Sequence, residues 1–270
     1  RTMRLIKTLK KDKPIAAQLL GSDPFIVLDA AQKLIDLADI SFFDINGACP
    51  AGKIIKKKAG AYFLKNPGQL GKILKKLSSG VRIPVTVKLR TGFNKKDPEE
   101  TMKIARICQA AGASTVFIHG RTASQGYSGE VDYESIKAVK NSLEIPVFGS
   151  GNIFNPVLAG KMFDATGCDG ILIARGALGN PWIFRDIKNY LKYGEIAKNP
   201  KLPAKKRILK KHLSYIEKYK EMAHANKMGF MGKVAMWYLK GLPNASRIRE
   251  RIQAVRSYEE LNKLIGGISN

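Results

Sequence analysis

The chain has 270 residues, 44% hydrophobic and 26% charged, with a formal net charge of +25. This composition excludes a disordered polyelectrolyte. No apolar run reaches the roughly 18 residues of a membrane span, so a globular protein without membrane attachment is expected. So large a positive field points to a polyanionic partner.

The opening segment, RTMRLIKTLKKDKP, is basic and no apolar stretch follows it, so it does not read as a secretory signal. From there to about residue 190, short β-rich runs alternate with helical patterns. Strands are expected at Ile15–Leu20, Phe42–Ile45, Pro84–Leu89, Thr115–Ile118, Pro146–Phe148 and Gly170–Ala174. Helices are expected at Phe25–Leu37, Pro67–Leu77, Pro98–Ala111, Tyr133–Lys140 and Pro156–Asp164. Several of them open with proline in the first turn or with Asp or Asn just before it. A strand following each helix gives a repeated βα unit and a parallel sheet.

Six units can build a doubly wound sheet or a (β/α)8 barrel. Two features favour the barrel. Gln18, Asn46, Lys88, His119, Ser150 and Arg175 fall at or just beyond the C-terminal ends of the strands, which in a barrel converge on one mouth. No GxGxxG turn follows an early strand. The fold class expected is therefore α/β, a TIM (β/α)8-type barrel over residues 1–194 with a small C-terminal helical domain over 195–270. Two further barrel strands are expected ahead of residue 1.

Residues 195–205 are polar with two prolines and read as a linker. Beyond them Ile208, His212, Tyr215, Ile216 and Tyr219 recur at helical spacing, as do Met231, Val234, Ala235 and Tyr238. Both stripes are expected to form the core of a small helical bundle. Residues 195–270 carry 17 lysines and arginines against 6 acidic residues, the denser part of the positive charge.

Cys49, Cys108 and Cys168 are far apart and unpaired by any CxxC spacing. A disulfide framework is not expected, and a reducing, cytoplasmic compartment is. His119, His212 and His224 show no ligand spacing with them, so no metal is expected.

Five stretches carry chemistry. In FDINGACPAGKIIKKKAGAYFLKNP (43–67), Cys49 follows a strand ending in Asp-Ile-Asn. There a thiol can act as acid or nucleophile, beside Asn46 and Lys53. In VTVKLRTG (85–92), the strand ending in Lys88 and Arg90 is expected to place one cation inward, suited to an anionic cofactor group such as the N1–C2=O edge of a reduced flavin. In FIHGRTASQGYSG (117–129), His119 ends a strand and Arg121, Gln125 and Tyr127 follow on the loop. PVFGSGNIFNP (146–156) and GILIARGALGNPWIF (170–184) supply glycine-rich turns, in which Ser150, Gly151, Ala174, Arg175 and Gly176 suit a phosphate.

In this order, these stretches resemble the tRNA-dihydrouridine synthase family. Its patterns run close to D-I-N-x-G-C-P-x-x-K, V-K-x-R-x-G, H-G-R-T-x-x-Q-x-Y-x-G, N-G-D-I and G-R-G-A-L-G-N-P-W. PIAAQLLGSDP (14–24) resembles the strand that supplies the family's flavin-contacting Gln, here Gln18, and MGKVAMWYLKGLPNASRIRERI (231–252) resembles its C-terminal helical domain. The resemblance implies an enzyme that reduces tRNA uridines to 5,6-dihydrouridine, with FMN as cofactor and NADPH or NADH as reductant. It implies Cys49 as the acid that protonates C5 after hydride reaches C6. Gln18, Lys88, His119, Ser150, Gly151, Asn152, Ala174 and Arg175 become cofactor contacts. Asn46, Lys53, Arg121 and Tyr127 become substrate contacts, and tRNA becomes the partner of the basic tail.

The sequence departs from the family pattern at four places. Ala48 precedes the cysteine, with Gly47 one place early. Asn152 replaces the Asp of N-G-D-I. Gly232 and Val234 stand where Arg and His are common, with Lys233 kept. A flavin dehydrogenase of a free pyrimidine and a catalytically inactive RNA-binding barrel are the alternatives. The basic tail argues against the first, and joint retention of Cys49, Lys88, His119 and Arg175 against the second.

Overall fold

A computed structural model describes residues 12–269. The basic opening segment, residues 1–11, lies outside the described residues. The described chain holds six strands in one wholly parallel sheet: β1 (Ala16–Leu19), β2 (Phe42–Asn46), β3 (Val85–Arg90), β4 (Thr115–His119), β5 (Val147–Ser150) and β6 (Gly170–Leu172). Their spatial order is their sequence order, each strand pairing with the next. The expected six βα units are present, and the last strand ends two residues earlier than the sequence suggested.

Helices α1 (Pro24–Leu37), α3 (Pro67–Gly80), α4 (Pro98–Ala110), α5 (Tyr133–Ser142) and α6 (Pro156–Thr166) connect successive strands. A one-turn helix, α2 (Gly52–Ile55), and a 3-10 turn (Gly60–Leu64) precede α3. The starts follow from the sequence. Asp23 accepts from the Phe25 and Ile26 amides at 2.8 and 2.9 Å, Asp97 from Glu100 at 3.0 Å, and Asp132 from Ser135 at 3.0 Å. Pro24, Pro67 and Pro98 occupy first-turn positions, where the missing N–H costs nothing.

Residues alternate between the two faces of each strand. Ile45, Val87, Leu89, Val116, Ile118 and Val147 face the helices and are at most 2% exposed. Leu70, Leu74 and Leu77 of α3, Ile104 of α4 and Ile136 of α5 are likewise at most 1% exposed. The opposite face carries Gln18, Asp44, Asn46, Thr86, Lys88, Arg90, Phe117, His119, Phe148 and Ser150. Phe117 and Phe148, register partners on β4 and β5, meet edge to face with centroids 5.3 Å apart. Above them, toward the C-terminal strand ends, that face is polar.

The chain divides into two compact units. The first comprises residues up to Ile153 together with Leu158–Ile173, and the second Phe154–Val157 with Ala174 onward. The second holds α7 (Ile183–Tyr193), α8 (Leu202–Tyr219), α9 (His224–Tyr238), α10 (Ala245–Ala254) and α11 (Tyr258–Gly266). Its core gathers Leu209, Leu213 and Ile216 of α8, Met231, Val234 and Tyr238 of α9, Ile252 of α10 and Leu261 and Ile265 of α11. One expectation is corrected in part here. Ile216 of the expected stripe is buried, but Tyr215 and Tyr219 lie on the exposed side of α8, 51% and 47% accessible, because the bundle buries the face that Ile216 shares with Leu209 and Leu213.

Candidate functional site

The first unit assembles its polar residues at the C-terminal ends of β1 to β5. Strand register does this: Gln18 pairs with Asp44, Asn46 with Lys88, Arg90 with His119, and His119 with Ser150. Residues far apart in sequence therefore stand side by side on one face.

At the centre of the first row lies Asp44, a buried carboxylate. It accepts from Gln18 Nε2 at 2.7 Å and from Thr86 Oγ1 at 2.9 Å. Burial raises its pKa, while both hydrogen bonds and the charge of Lys88 pull the other way. Lys88 is half-buried above Thr86. Burial lowers its amine to about 8, the like charge of Arg90 adds to that, and Asp44 opposes it.

Lys88 and Arg90 share one face, because residues two apart on a strand always do. The expectation that only one of the two turns inward is corrected accordingly. Arg90 is committed elsewhere. Its Nε donates to the Ala48 carbonyl at 2.8 Å, and its Nη1 to the carbonyls of Thr122 and Gly126 at 2.8 and 3.0 Å. It ties the cysteine loop to the loop after β4.

Cys49 is partly exposed. Asn46 Oδ1 accepts from the amides of Ala48 and Cys49 at 3.1 and 2.9 Å, closing the loop directly after β2. From the other side the Ala61 amide donates to the Cys49 carbonyl at 3.0 Å. Gly60, at φ +65°, makes that approach possible. A Cβ there would stand 2.7 Å from the Cys49 carbonyl oxygen and 3.1 Å from Cys49 Cβ. Cys108 and Cys168 are buried, and burial pushes the Cys108 thiol up to about 12. Cys49 is the most accessible of the three thiols.

His119 is buried at the end of β4, its ring centroid 6.4 Å from that of Tyr127. Tyr127 is 67% exposed. Arg121 is 1% exposed, and its guanidinium donates to the carbonyls of Ser128 and Gly129, at 2.8 and 2.7 Å. Gln125 reinforces that loop by accepting from the Thr122 amide at 2.8 Å. Ser150 is buried at the end of β5, and Gly151 (φ +141°) and Asn152 (φ +49°) turn sharply after it. A Cβ on Gly151 would meet Val131 at 3.0 Å and His119 at 3.7 Å.

The structure thus brings Gln18, Asn46, Cys49, Lys88, His119 and Ser150 onto one rim, with Gly151 and Asn152 in the turn beyond. Lys53, on α2, is exposed. Ala174 and Arg175 belong to the second unit, in a 3-10 turn where the guanidinium lies 5.2 Å from the Phe154 ring centroid. In the same unit, Val234 is buried in the helical core and Gly232 faces Ile252 of α10, while Lys233 is exposed. The family departures at 232 and 234 therefore fall on packing positions.

Sequence reasoning missed Asp44 and the clamping role of Arg90. Asp44 was detectable from its spacing, since it shares a strand face with Asn46. Among the described residues no group of three or more His, Cys, Asp or Glu could hold a metal ion. No described helix is long and apolar enough to cross a membrane.

A family model described as dihydrouridine synthase (Dus) matches residues 1–266. A tRNA-dihydrouridine synthase B from Pseudomonas aeruginosa is 36% identical over 248 residues, 91% of this chain and 73% of the relative. The protein of that name from Vibrio cholerae is 35% identical over 260 residues, 94% of this chain and 78% of its own. The one from Proteus vulgaris is 34% identical over 245 residues, 91% and 75%.

Proposed function

Because this chain belongs to the dihydrouridine synthase family, we propose that it reduces uridines of tRNA to 5,6-dihydrouridine, holding FMN and taking electrons from NADPH or NADH. The observation that carries this reading is the placement of Cys49, a partly exposed thiol on a loop pinned from two sides, at the strand ends that also bear Lys88 and His119.

The order β1 to β6 has no reversal, as expected for the wall of a (β/α) barrel rather than for a doubly wound sheet. The donors on its polar rim suit a flavin. A half-buried ammonium at Lys88 matches an anionic N1–C2=O edge, and the amide of Gln18, the imidazole of His119 and the hydroxyl of Ser150 offer further hydrogen bonds around it. Gly151 and Asn152 suit the ribityl chain, and the family resemblance assigns the phosphate to Ala174 and Arg175. When bound and reduced, the flavin supplies the hydride that uracil C6 receives.

The chain's own residues do the rest. A uridine must leave its stack to reach the rim, as base-modifying enzymes require. Cys49 gives the proton from Sγ to C5, as general acid. Asn46 fixes the cysteine backbone and meets the uracil or flavin edge. Lys53 and Tyr127, both exposed, contact the tRNA near the flipped base. Arg121, expected as a direct substrate contact, is 1% exposed with its guanidinium on the Ser128 and Gly129 carbonyls, so its part is instead to hold the loop that presents Tyr127. The basic helices of residues 195–270 take up tRNA phosphates through lysine and arginine. Three unpaired cysteines suit a reducing, cytoplasmic setting.

The test is dihydrouridine content in unmodified tRNA after incubation with the protein and NADPH. The native protein should form dihydrouridine, and Cys49→Ala should be slower by about 10²-fold or more, the usual weight of a positioned acid. Equal product from both would remove Cys49 as the acid. No product from either, with NADPH still oxidised, would favour a dehydrogenase of a free pyrimidine.

A further inference from the structure

We infer that Asp44 is a positioning residue for Cys49, acting through a directed chain of hydrogen bonds that passes through Gln18 and Asn46. The inference rests on the proposed role of Cys49 for its meaning, and on the geometry for its existence.

The direction of the chain is forced from the cysteine end. The backbone amides of Ala48 and Cys49 can only donate, so the Asn46 atom facing them, at 3.1 and 2.9 Å, must be the carbonyl Oδ1. That turns Asn46 Nδ2 toward Gln18, where it donates to Oε1 at 2.9 Å. Gln18 Nε2 must then point the other way, and it donates to Asp44 Oδ2 at 2.7 Å. Each amide has one orientation that satisfies both of its neighbours, and the last member has to accept. Asp44 does so from a buried position on β2, with its other oxygen taking the Thr86 hydroxyl at 2.9 Å. A carboxylate accepts at both oxygens and cannot be flipped into a donor as an amide can.

The chain runs across the sheet and back. It starts on β2 at Asp44, crosses to β1 at Gln18, returns to β2 at Asn46 and ends on the loop that carries the thiol. Gln18 and Asn46 therefore have a task besides any contact with flavin or uracil. They transmit the polarity of Asp44 to two backbone amides. Asp44→Asn keeps the shape but lets the terminal group donate. Gln18 can then reverse, Asn46 after it, and an NH₂ group comes to face the Ala48 and Cys49 amides, donor against donor. The loop opens or shifts to the extent that this reversed orientation wins over the original one, in which the new NH₂ group donates to Thr86 Oγ1 and the Thr86 hydroxyl donates to the Phe43 carbonyl, 3.2 Å away.

The first readout needs no catalysis. Cys108 and Cys168 are 0% and 5% exposed, so alkylation by iodoacetamide in the folded protein reports on Cys49, with the modified peptide identified by mass spectrometry. Asp44→Asn should change the alkylation rate of Cys49 at least fivefold. Gln18→Ala, a truncation at an exposed position, should change it in the same direction and keeps the test decisive if Asp44→Asn does not fold. The second readout is a double-substitution cycle. In an Asn46→Ala background, adding Gln18→Ala or Asp44→Asn should alter the alkylation rate by less than twofold, because the chain is already cut.

Native alkylation rates in Asp44→Asn and Gln18→Ala would overturn the proposal. So would effects that multiply with that of Asn46→Ala. If the native protein forms dihydrouridine while these variants alkylate as it does, the positioning role falls and the proposed function stands. If alkylation responds as expected but the native protein forms no dihydrouridine, the positioning chain stands and the proposed function falls.

Discussion

Arg90 Nε donates to the carbonyl of Ala48 at 2.8 Å, and through this bond the last residue of β3 holds the residue before the cysteine. The same guanidinium reaches two carbonyls on the loop after β4. One side chain thus fixes the two loops that carry Cys49 and Tyr127, which a single amide or ammonium could not span.

Arg90→Met should cost on the order of 3 kcal/mol, because a buried side chain that donates to three carbonyls is lost and their partners with it. Arg90→Lys should recover only part, since one ammonium cannot reproduce the planar fork. Urea denaturation of the three proteins measures this, and a loss below about 1 kcal/mol in Arg90→Met would show that the clamp is dispensable.

Gly60→Ala should leave the sheet intact yet displace the cysteine loop. The residue sits at φ +65°, which costs an L side chain roughly 1–2 kcal/mol. The added methyl would also stand 2.7 Å from the Cys49 carbonyl oxygen. Dihydrouridine formation should fall about tenfold or more while far-ultraviolet circular dichroism is unchanged. Activity equal to native would mean that the loop tolerates the shift.

Lys88 gives a pH signature. Its amine titrates at about 8 in the folded chain against an ordinary 10.5. Between those values the unfolded chain holds a proton that the folded chain has released. Stability should therefore rise with pH from about 8 to 10.5, and the destabilising effect of burying the charge is fully present below pH 8. Flavin binding should run the opposite way, weakening as pH rises through about 8 and the ammonium is lost. Lys88→Met should flatten both dependences. Urea midpoints and flavin fluorescence titrations between pH 7 and 10 test the two signs separately.

Lys233 is exposed on α9, its Nζ 5.6 Å from the Trp237 ring centroid, one turn away on the same helix. Lys233→Gln should weaken tRNA binding and reduce the slope of log affinity against log salt by about 1, as expected for one lost phosphate contact. An unchanged slope would place Lys233 outside the RNA contact.

Much of the first unit was legible because its signals are local. The β-rich run at Thr115–Ile118, the proline at 98 with Asp97 before it, and the Asp-Ile-Asn ending at 46 each depend on near neighbours, and each element lies where expected within a few residues. The helical stripe through Tyr215 and Tyr219 was misread, apart from Ile216, because α8 carries two apolar stripes that share that residue. Only packing against α9 and α11 selects Leu209, Leu213 and Ile216 as the buried one.

The sequence by itself determined the repeated βα pattern, the density of positive charge beyond residue 195, and the kinds of group available: one cysteine behind Asp-Ile-Asn, a lysine, a histidine and glycine turns. Which of them meet was decided only by the tertiary structure. Strand register sets Gln18 beside Asp44 and Asn46 beside Lys88, across separations of 26 and 42 residues, and no local propensity encodes that pairing. The burial that gives Asp44 and Lys88 their shifted titrations, and the orientation of each amide between Asp44 and Cys49, exist only once the sheet has formed and water has been excluded from its face.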